Sequence, residues 1–167
     1  MLTIEDVRAV PLFSTLPESE LERLVRTSAD VTLRPGEFAV HEGGERALYA
    51  VLSGKIEVVK QFDGVERTLG WRLPGTIFGE VPMAFATPFP GAYRAAEPSR
   101  VMRVEPHHYF AVAAVAPEVA EKLGGAVGAG ERRGEGQRHL AEDGSGQAPA
   151  ERALDAVESL DHLDPAG

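Results

Sequence analysis

The 167-residue chain contains no cysteine. Disulfides, thiolate zinc sites, iron–sulfur clusters and thiol redox chemistry are therefore excluded. Long apolar runs are also missing, because the longest mainly apolar stretch, residues 109–116, is far too short to span a bilayer. Residues 1–6 lack the basic and apolar regions of a signal peptide. These absences predict a soluble cytoplasmic protein with no membrane partner.

Positive charge is scarce as well. The chain has 17 Lys and Arg residues against 26 Asp and Glu residues, which gives a formal net charge of −9. A surface that binds DNA or RNA normally carries a basic patch, so this balance argues against nucleic acid as a direct partner. The hydrophobic content of 43% is ordinary and is sufficient for a packed core.

Length and composition predict one domain followed by a tail. Residues 1–127 carry the periodic apolar patterns of a folded domain, whereas residues 128–167 are acidic and rich in glycine and alanine. We expect this tail to be disordered. Residues 151–163 have weak helical periodicity, but without strong caps we expect a solvated or frayed segment there.

Helix signals open the chain. Thr3 is a predicted N-cap for a helix over residues 4–10, and Pro17 begins a second helix, over residues 18–28. Acidic residues follow Thr3 and favour the positive end of the first helix. These two helices are expected to precede the main body of the domain.

Between residues 31 and 104 the pattern changes to short β-rich runs separated by glycine turns. No helical pattern intervenes between the predicted strands, which cover residues 37–41, 47–52, 55–62, 65–72 and 99–104. Asp63-Gly64 is a predicted hairpin turn, because both residues tolerate positive φ. The pattern predicts a mainly β fold with flanking helices, built as an antiparallel jelly-roll barrel.

The predicted domain ends in short helices. Pro106 and Pro117 begin helices over residues 106–116 and 117–123. Gly124-Gly125 is expected to end the second of them, because glycine disfavours helix interiors.

A glycine-framed turn with a single carboxylate lies within residues 75–82. There Glu80 directly follows Gly79 at a predicted helix start. A carboxylate in this position can accept hydrogen bonds from vicinal sugar hydroxyls, while the free N–H groups of a helix start attract phosphate. The combination suits a nucleotide-like ligand.

Three groups of residues together resemble a cyclic nucleotide-binding domain of the Crp/Fnr type. They are residues 34–37, the strand pair over residues 47–58, and Pro74-Gly75 followed by Phe78-Gly79-Glu80. The resemblance covers residues 8–123 and implies a jelly-roll barrel with N-terminal helices. It implies a cyclic nucleotide or a related small ligand, and no other cofactor.

Such domains hold the nucleotide in a phosphate-binding cassette, in which a glutamate binds the ribose and an arginine binds the cyclic phosphate. The resemblance assigns Gly79 and Glu80 to the ribose side, Val81 and Met83 to the cassette helix, and Phe89, Gly91 and Ala92 to a degenerate phosphate side. Counted without gaps, the arginine position falls on Phe89. Arg94 is near in sequence, but its odd offset along a strand is expected to turn it to the opposite face.

The missing arginine predicts weak or no binding of cyclic AMP. An anion in a partly dry pocket needs a partner, and a hydrogen bond to a charged group contributes about 1.5–3 kcal/mol. Its loss corresponds to binding weaker by about ten- to a hundredfold. Tyr93 is a further pocket candidate that either plugs the barrel or stacks on a base. We favour the plug, because aromatic side chains fill barrels more often than they contact ligands.

A narrower resemblance is to the regulatory domains found N-terminal to thioredoxin-reductase-like flavoproteins. It rests on residues 79–82, the pair Phe89-Pro90 and residues 94–107. The chain has no dinucleotide fingerprint, since Gly128-Ala129-Gly130 is followed by Arg133 where a glycine is required. We therefore expect a non-enzymatic regulatory module that acts with a separate flavoprotein reductase or another effector protein.

Other candidate sites are weaker. Gly54-Lys55 lacks the upstream glycine and the Ser or Thr of a P-loop. His107-His108 point in different directions, and His41 lacks the second histidine of a cupin metal site.

Two rival functions stay open. One is a working cyclic-nucleotide receptor in which Arg94 or helix-end amides replace the lost contact. The other is a Crp/Fnr transcription regulator without its DNA-binding domain, which the early end of the last helix argues against. The oligomeric state is undetermined, because a short last helix offers only a small apolar face for pairing.

Overall fold

The computed structural model describes residues 1–134, with side chains as far as residue 126. Its elements in chain order are α1 (Ile4–Arg8), α2 (Glu18–Thr27), β1 (Ala29–Leu33), β2 (Phe38–Val40), β3 (Leu48–Ser53), β4 (Ile56–Phe62), β5 (Val65–Arg72), β6 (Ile77–Phe78), α3 (Glu80–Phe85), β7 (Ala92–Ala95), β8 (Ser99–Val104), α4 (Pro106–Val115) and α5 (Pro117–Gly134). Within this part of the chain no helix is long and apolar enough to cross a membrane. The predicted segment over residues 151–163 lies outside the described residues.

The strands form two antiparallel four-stranded sheets. One sheet has the order β1-β8-β3-β6, and the other has the order β2-β7-β4-β5. The predicted mainly β jelly-roll class is therefore confirmed. The strands predicted over residues 65–72 and 99–104 coincide with β5 and β8.

The β4–β5 hairpin turns at Asp63-Gly64, where φ is 50° and 77°. The predicted hairpin turn is thus confirmed. Near the turn the strand pairing is regular, but a bulge between Val58 and Val59 then shifts the register by one residue. As a result Ile56 pairs with Arg72. A one-residue shift moves side chains to the other face of a sheet. The side chains at the end of β5 therefore face the opposite side of the sheet from the one they would face in a regular hairpin.

β3 is buried on both faces. Leu48 and Ala50 face a helical core that includes residues of α1, α2, α4 and α5. Tyr49 and Val51 face a second core between the two sheets. Strand side chains alternate in direction, so the nearly continuous apolar run over residues 47–52 serves two cores at once.

The N-terminal helices are joined to the first sheet through Arg100. Thr3 forms a capping box with Asp6, which confirms the predicted start of α1. The Arg100 guanidinium donates to the carboxylates of both Asp6 and Asp30. These hydrogen bonds, with the amino group of Met1, lower the pKa of Asp30 to about 2. Arg100 of β8 thereby links α1 to β1.

The last helix is longer than predicted. The expected end at Leu123 is wrong, since α5 passes through Gly124-Gly125 and continues to Gly134. Glycine in a helix costs only about 1 kcal/mol relative to alanine, and Val119 and Leu123 anchor the helix in the helical core. α5 also passes the predicted domain boundary at residue 127; the tail beyond Gly134 lies outside the described residues and stays a prediction.

Candidate functional site

Gly79 sets the geometry of the candidate site. Its φ is 93°, in the left-handed region that favours glycine. A Cβ at this position would lie 2.1 Å from the backbone oxygen of Ala47. No other residue fits there without a shift of the backbone. The turn places Glu80 at the first position of α3, between β6 and the helical core.

Glu80 is half-buried, and its carboxylate has spare hydrogen-bonding capacity. Its Oε2 atom is buried and accepts no hydrogen bond from the side chains or backbone of residues 1–126. Burial raises the pKa of the Glu80 carboxyl, and the positive charge of Arg72 opposes this effect only in part. An unpaired buried oxygen is costly, so a ligand hydroxyl that donated to Oε2 would recover free energy here.

The other two residues assigned to the predicted cassette helix differ in how deeply they are buried. Met83 is buried in the helical core beside residues of α4 and α5, and Val81 is half-buried. α3 packs directly against α5. Because Glu80 is the first residue of α3, this helix connects the candidate site to α5.

Four aromatic rings fill the space between the sheets. Tyr49, Phe78 and Tyr93 are stacked, with ring centroids 4.7 Å apart for the first pair and 4.3 Å for the second. Phe89 meets Tyr49 and Tyr93 edge-on, at 5.9 and 5.6 Å. Tyr93 is thus packed within the core between the sheets, and its role as a plug stays a prediction.

Phe89, which the sequence comparison predicts at the arginine position of the cassette, is 2% exposed. Its backbone is held on both sides, since its N–H donates to Gly44 and its carbonyl accepts from the N–H of Gly43. An aromatic ring at this position provides packing and no positive charge. The structure therefore makes Phe89 part of the core between the sheets.

Gly91 directly precedes β7, and Ala92 begins this strand. A Cβ on Gly91 would lie 3.0 Å from the backbone oxygen of Val59, so the close approach of β4 favours glycine. Ala92 is buried and pairs with Val59. These residues of the predicted phosphate side thus lie at the start of β7, which pairs with β2 and β4 on its two sides.

Arg94 lies on the outer face of the second sheet. Its Nη2 atom is 2.8 Å from a carboxylate oxygen of Glu57 and 2.9 Å from one of Glu66. Hydrogen bonds from Thr68 and Arg94 lower the pKa of Glu57. Arg94 thus points away from Tyr93, its neighbour in the inner core, as its strand position predicts.

Arg72 is a site residue that the sequence analysis missed. It pairs with Ile56, whose side chain belongs to the core between the sheets, so Arg72 faces inward. Its guanidinium lies close enough to oppose the effect of burial on the pKa of both Tyr93 and Glu80. A regular hairpin would have turned Arg72 outward, and only Gly70 within the strand indicated a bulge.

Metal ligation has no candidate cluster in the part of the chain that the structure describes. The His41 ring packs against Phe38, with centroids 4.3 Å apart. The rings of His107 and His108 are 3.9 Å apart and tilted by 45°. Polar side chains at the core between the sheets include those of Glu80, Arg72, Tyr49 and Tyr93, and Arg103, whose Nε donates to the Tyr49 hydroxyl.

Comparison with known proteins identifies related folds. Residues 30–114 match the family model described as the cyclic nucleotide-binding domain. No curated protein gives a significant match.

Three solved structures show the same fold. The sensor domain of the transcriptional regulator DNR from Pseudomonas aeruginosa is 20% identical, with a TM-score of 0.68, over 83% of this chain and 95% of that one. The regulatory domain of Toxoplasma gondii PKA with cAMP is 23% identical, with a TM-score of 0.58, over 65% of this chain and 42% of that one. The regulatory subunit of a cAMP-independent protein kinase A from Trypanosoma cruzi, bound to guanosine, is 21% identical, with a TM-score of 0.62, over 72% and 43%. The chain therefore spans less than half of either kinase regulatory protein.

Proposed function

Because the chain belongs to the cyclic nucleotide-binding domain family, we propose that it is a non-enzymatic sensor whose site no longer binds cyclic AMP tightly. One observation carries the proposal: Phe89 occupies the arginine position and is packed between Tyr49 and Tyr93. The site therefore lacks the cation that holds the cyclic phosphate, and the ring cannot leave without opening a cavity in the core.

The negative charge of a cyclic phosphate lowers the affinity of a site that has no cation to pair with it. A phosphate that enters a partly dry pocket loses hydration, and a bidentate arginine normally offsets that loss. Without the arginine we expect binding weaker by about ten- to a hundredfold. Arg94 is a poor replacement, because it would have to leave both Glu57 and Glu66 and cross to the other face of the sheet.

Glu80 supports retention of a ligand that carries hydroxyl groups. Its buried oxygen accepts no hydrogen bond within residues 1–126, and this suits a sugar-like donor. The Trypanosoma cruzi protein of this fold is the regulatory subunit of a cAMP-independent protein kinase A and is bound to guanosine. The fold is therefore compatible with a ligand other than cyclic AMP. An atypical hydroxyl-bearing ligand is the corresponding proposal for this chain.

A signal from the bound ligand would pass to the effector through α3. Glu80 begins this helix, and Met83 buries its other face in the helical core against α5. A ligand that pulled on Glu80 would thus displace the surface that α5 packs on. By its resemblance to domains in front of thioredoxin-reductase-like flavoproteins, the effector would be a separate flavoprotein reductase or another protein.

Isothermal titration calorimetry with cyclic AMP and cyclic GMP tests the proposal. We expect no sub-micromolar Kd for either nucleotide. The Glu80→Ala and Arg94→Ala variants serve as matched comparisons, because only a working receptor would lose affinity in either of them. A sub-micromolar Kd in the wild type that rises in both variants would establish the rival receptor function instead.

The length of α5 favours a second candidate function, the sensor half of a transcription regulator. The expected early end of this helix was the main argument against that class, and α5 runs on to Gly134. The net charge of −9 still disfavours direct DNA contact. A mobility-shift assay at low salt tests for direct DNA contact, and a chain that bound duplex DNA there would contradict the non-DNA-binding sensor.

A further inference from the structure

Arg72 faces the same core as Glu80 and Tyr93, although it lies on a different strand from the family cassette. Its partner Ile56 is fully buried in that core, and residues directly opposite in an antiparallel pair share a face. On the same face of β4, Val58 pairs with Tyr93 on one side and with Gly70 on the other. Because Gly70 has no side chain, the neighbour of Arg72 on this face of β5 adds no bulk between Arg72 and the Tyr93 ring.

We propose that Arg72 is the anion-binding residue of this site and that the ligand is a small hydroxyl-bearing anion, such as a sugar phosphate or a sugar acid. This inference rests on the proposed function and names the chemical class of its ligand. Glu80 would accept hydrogen bonds from the hydroxyls, while the Arg72 fork would donate to the phosphate or carboxylate.

The guanidinium has capacity for such a ligand. Arg72 is half-buried, and its side chain donates from Nη1 to the backbone oxygen of Trp71, at 3.2 Å, and also hydrogen-bonds the Tyr93 hydroxyl. It forms no salt bridge with any side chain of residues 1–126, unlike Arg94 and Arg100. A guanidinium has five N–H donors, so most of its hydrogen-bonding capacity is available to a ligand.

The position of Arg72 also selects against a cyclic phosphate. In a cyclic nucleotide the phosphate is fused to the ribose, so its direction from the sugar hydroxyl is fixed. The family cassette meets it after α3, where this chain has Phe89, whereas Arg72 approaches from β5. A phosphate or carboxylate on a rotatable bond can turn toward β5 while its hydroxyls stay on Glu80.

A purely structural role is the alternative, in which Arg72 only balances the charge of Glu80. The two roles differ in one measurable respect. A balancing charge affects the stability of the protein, but it gives no preference for an anionic ligand over its neutral counterpart.

The experiment is calorimetry with ribose 5-phosphate, gluconate, ribose, inorganic phosphate and cyclic AMP on the full chain. We expect ribose 5-phosphate or gluconate to bind at least about tenfold more tightly than ribose and inorganic phosphate. The comparison of ribose 5-phosphate with gluconate distinguishes a phosphate ligand from a carboxylate. Arg72→Gln should remove the advantage, Arg72→Lys should keep part of it, and Arg94→Gln on the outer face should keep all of it.

Three results would overturn the proposal: equal binding of ribose and the anions, no binding of either anion, or an advantage that survives Arg72→Gln. If Arg72→Gln fails to fold, the wild-type comparison of ribose 5-phosphate with ribose decides the question. Sub-micromolar binding of cyclic AMP would contradict the proposed function whatever Arg72 does. Absence of any anion preference, with cyclic AMP also unbound, would contradict only the role of Arg72.

Discussion

At the scale of single residues, the candidate site combines Glu80, Phe89 and Arg72, which come from three separate segments of the chain. Glu80 keeps its position because Gly79 allows the left-handed turn before α3. Phe89 is packed against Tyr93, and Arg72 pairs with Ile56 from β5. In the proposed function these three side chains decide which ligand binds.

The packing role of Phe89 has a direct test. Phe89→Ala should lower the free energy of unfolding by about 3–5 kcal/mol, because the substitution leaves a cavity between Tyr49 and Tyr93. Phe110→Ala is the matched control, since Phe110 is 44% exposed and should cost far less. Urea denaturation measures both. Equal small losses in the two variants would show that Phe89 does not pack as the structure has it.

Glu80 predicts a dependence of stability on pH. Its folded-state pKa is raised by burial above the ordinary 4.5, so its stabilising contribution is present below about pH 4.5 and is lost as pH rises through the folded pKa. Glu80→Gln should therefore be more stable relative to wild type at neutral pH than at about pH 4. Urea denaturation at both pH values measures the difference. Exposed Glu45 provides the control, and Glu45→Gln should show no such trend.

At the scale of elements, strands and helices were unequally predictable. The β4–β5 hairpin follows from Asp63-Gly64, because positive φ at both residues is a local requirement. The end of α5 does not follow from Gly124-Gly125, because two glycines weaken a helix without stopping it when its apolar face is anchored.

Gly124 gives the test at this scale. A Cβ at Gly124 would contact nothing within 4 Å and would continue a helix, so Gly124→Ala should stabilise the protein by about 0.5–1 kcal/mol. Gly64→Ala is the control. Gly64 is equally uncrowded, but its φ is 77°, so alanine there should destabilise. Denaturation curves with far-UV circular dichroism measure both, and a loss at Gly124 would argue against the helix.

At the scale of the whole molecule, the two cores share one strand. β3 gives Leu48 and Ala50 to the helical core and Tyr49 and Val51 to the core between the sheets. Neither core can lose β3 without damage to the other. The site at Glu80 lies where the two cores meet, since α3 is anchored by Met83 on the helical side.

This sharing predicts a single unfolding transition. Trp71, the one tryptophan of the chain, lies on β5 and reports on the barrel, while far-UV circular dichroism reports mainly on the helices. Both signals should change at the same urea concentration. Separate midpoints would show that the helices and the barrel unfold independently, which would contradict the coupling through β3.

The sequence by itself determined the fold class, five of the eight strands (β2, β3, β4, β5 and β8), the hairpin turn, the start of α1 and the location of Glu80 after Gly79. These features depend on local rules: turn residues that tolerate positive φ, caps beside helix starts and alternation along strands. The resemblance to cyclic nucleotide-binding domains added the prediction that Phe89 takes the place of the cassette arginine.

Only the tertiary structure decided which charges face the interior. Arg94 followed strand alternation and lies outside, but Arg72 faces inward because a bulge shifts its pairing by one residue. Tertiary packing also decided the continuation of α5, since Val119 and Leu123 hold this helix against the helical core. In both cases contacts between residues distant in the sequence outweighed a local preference of about 1 kcal/mol per residue or less. Such contacts cannot be read from the neighbouring residues.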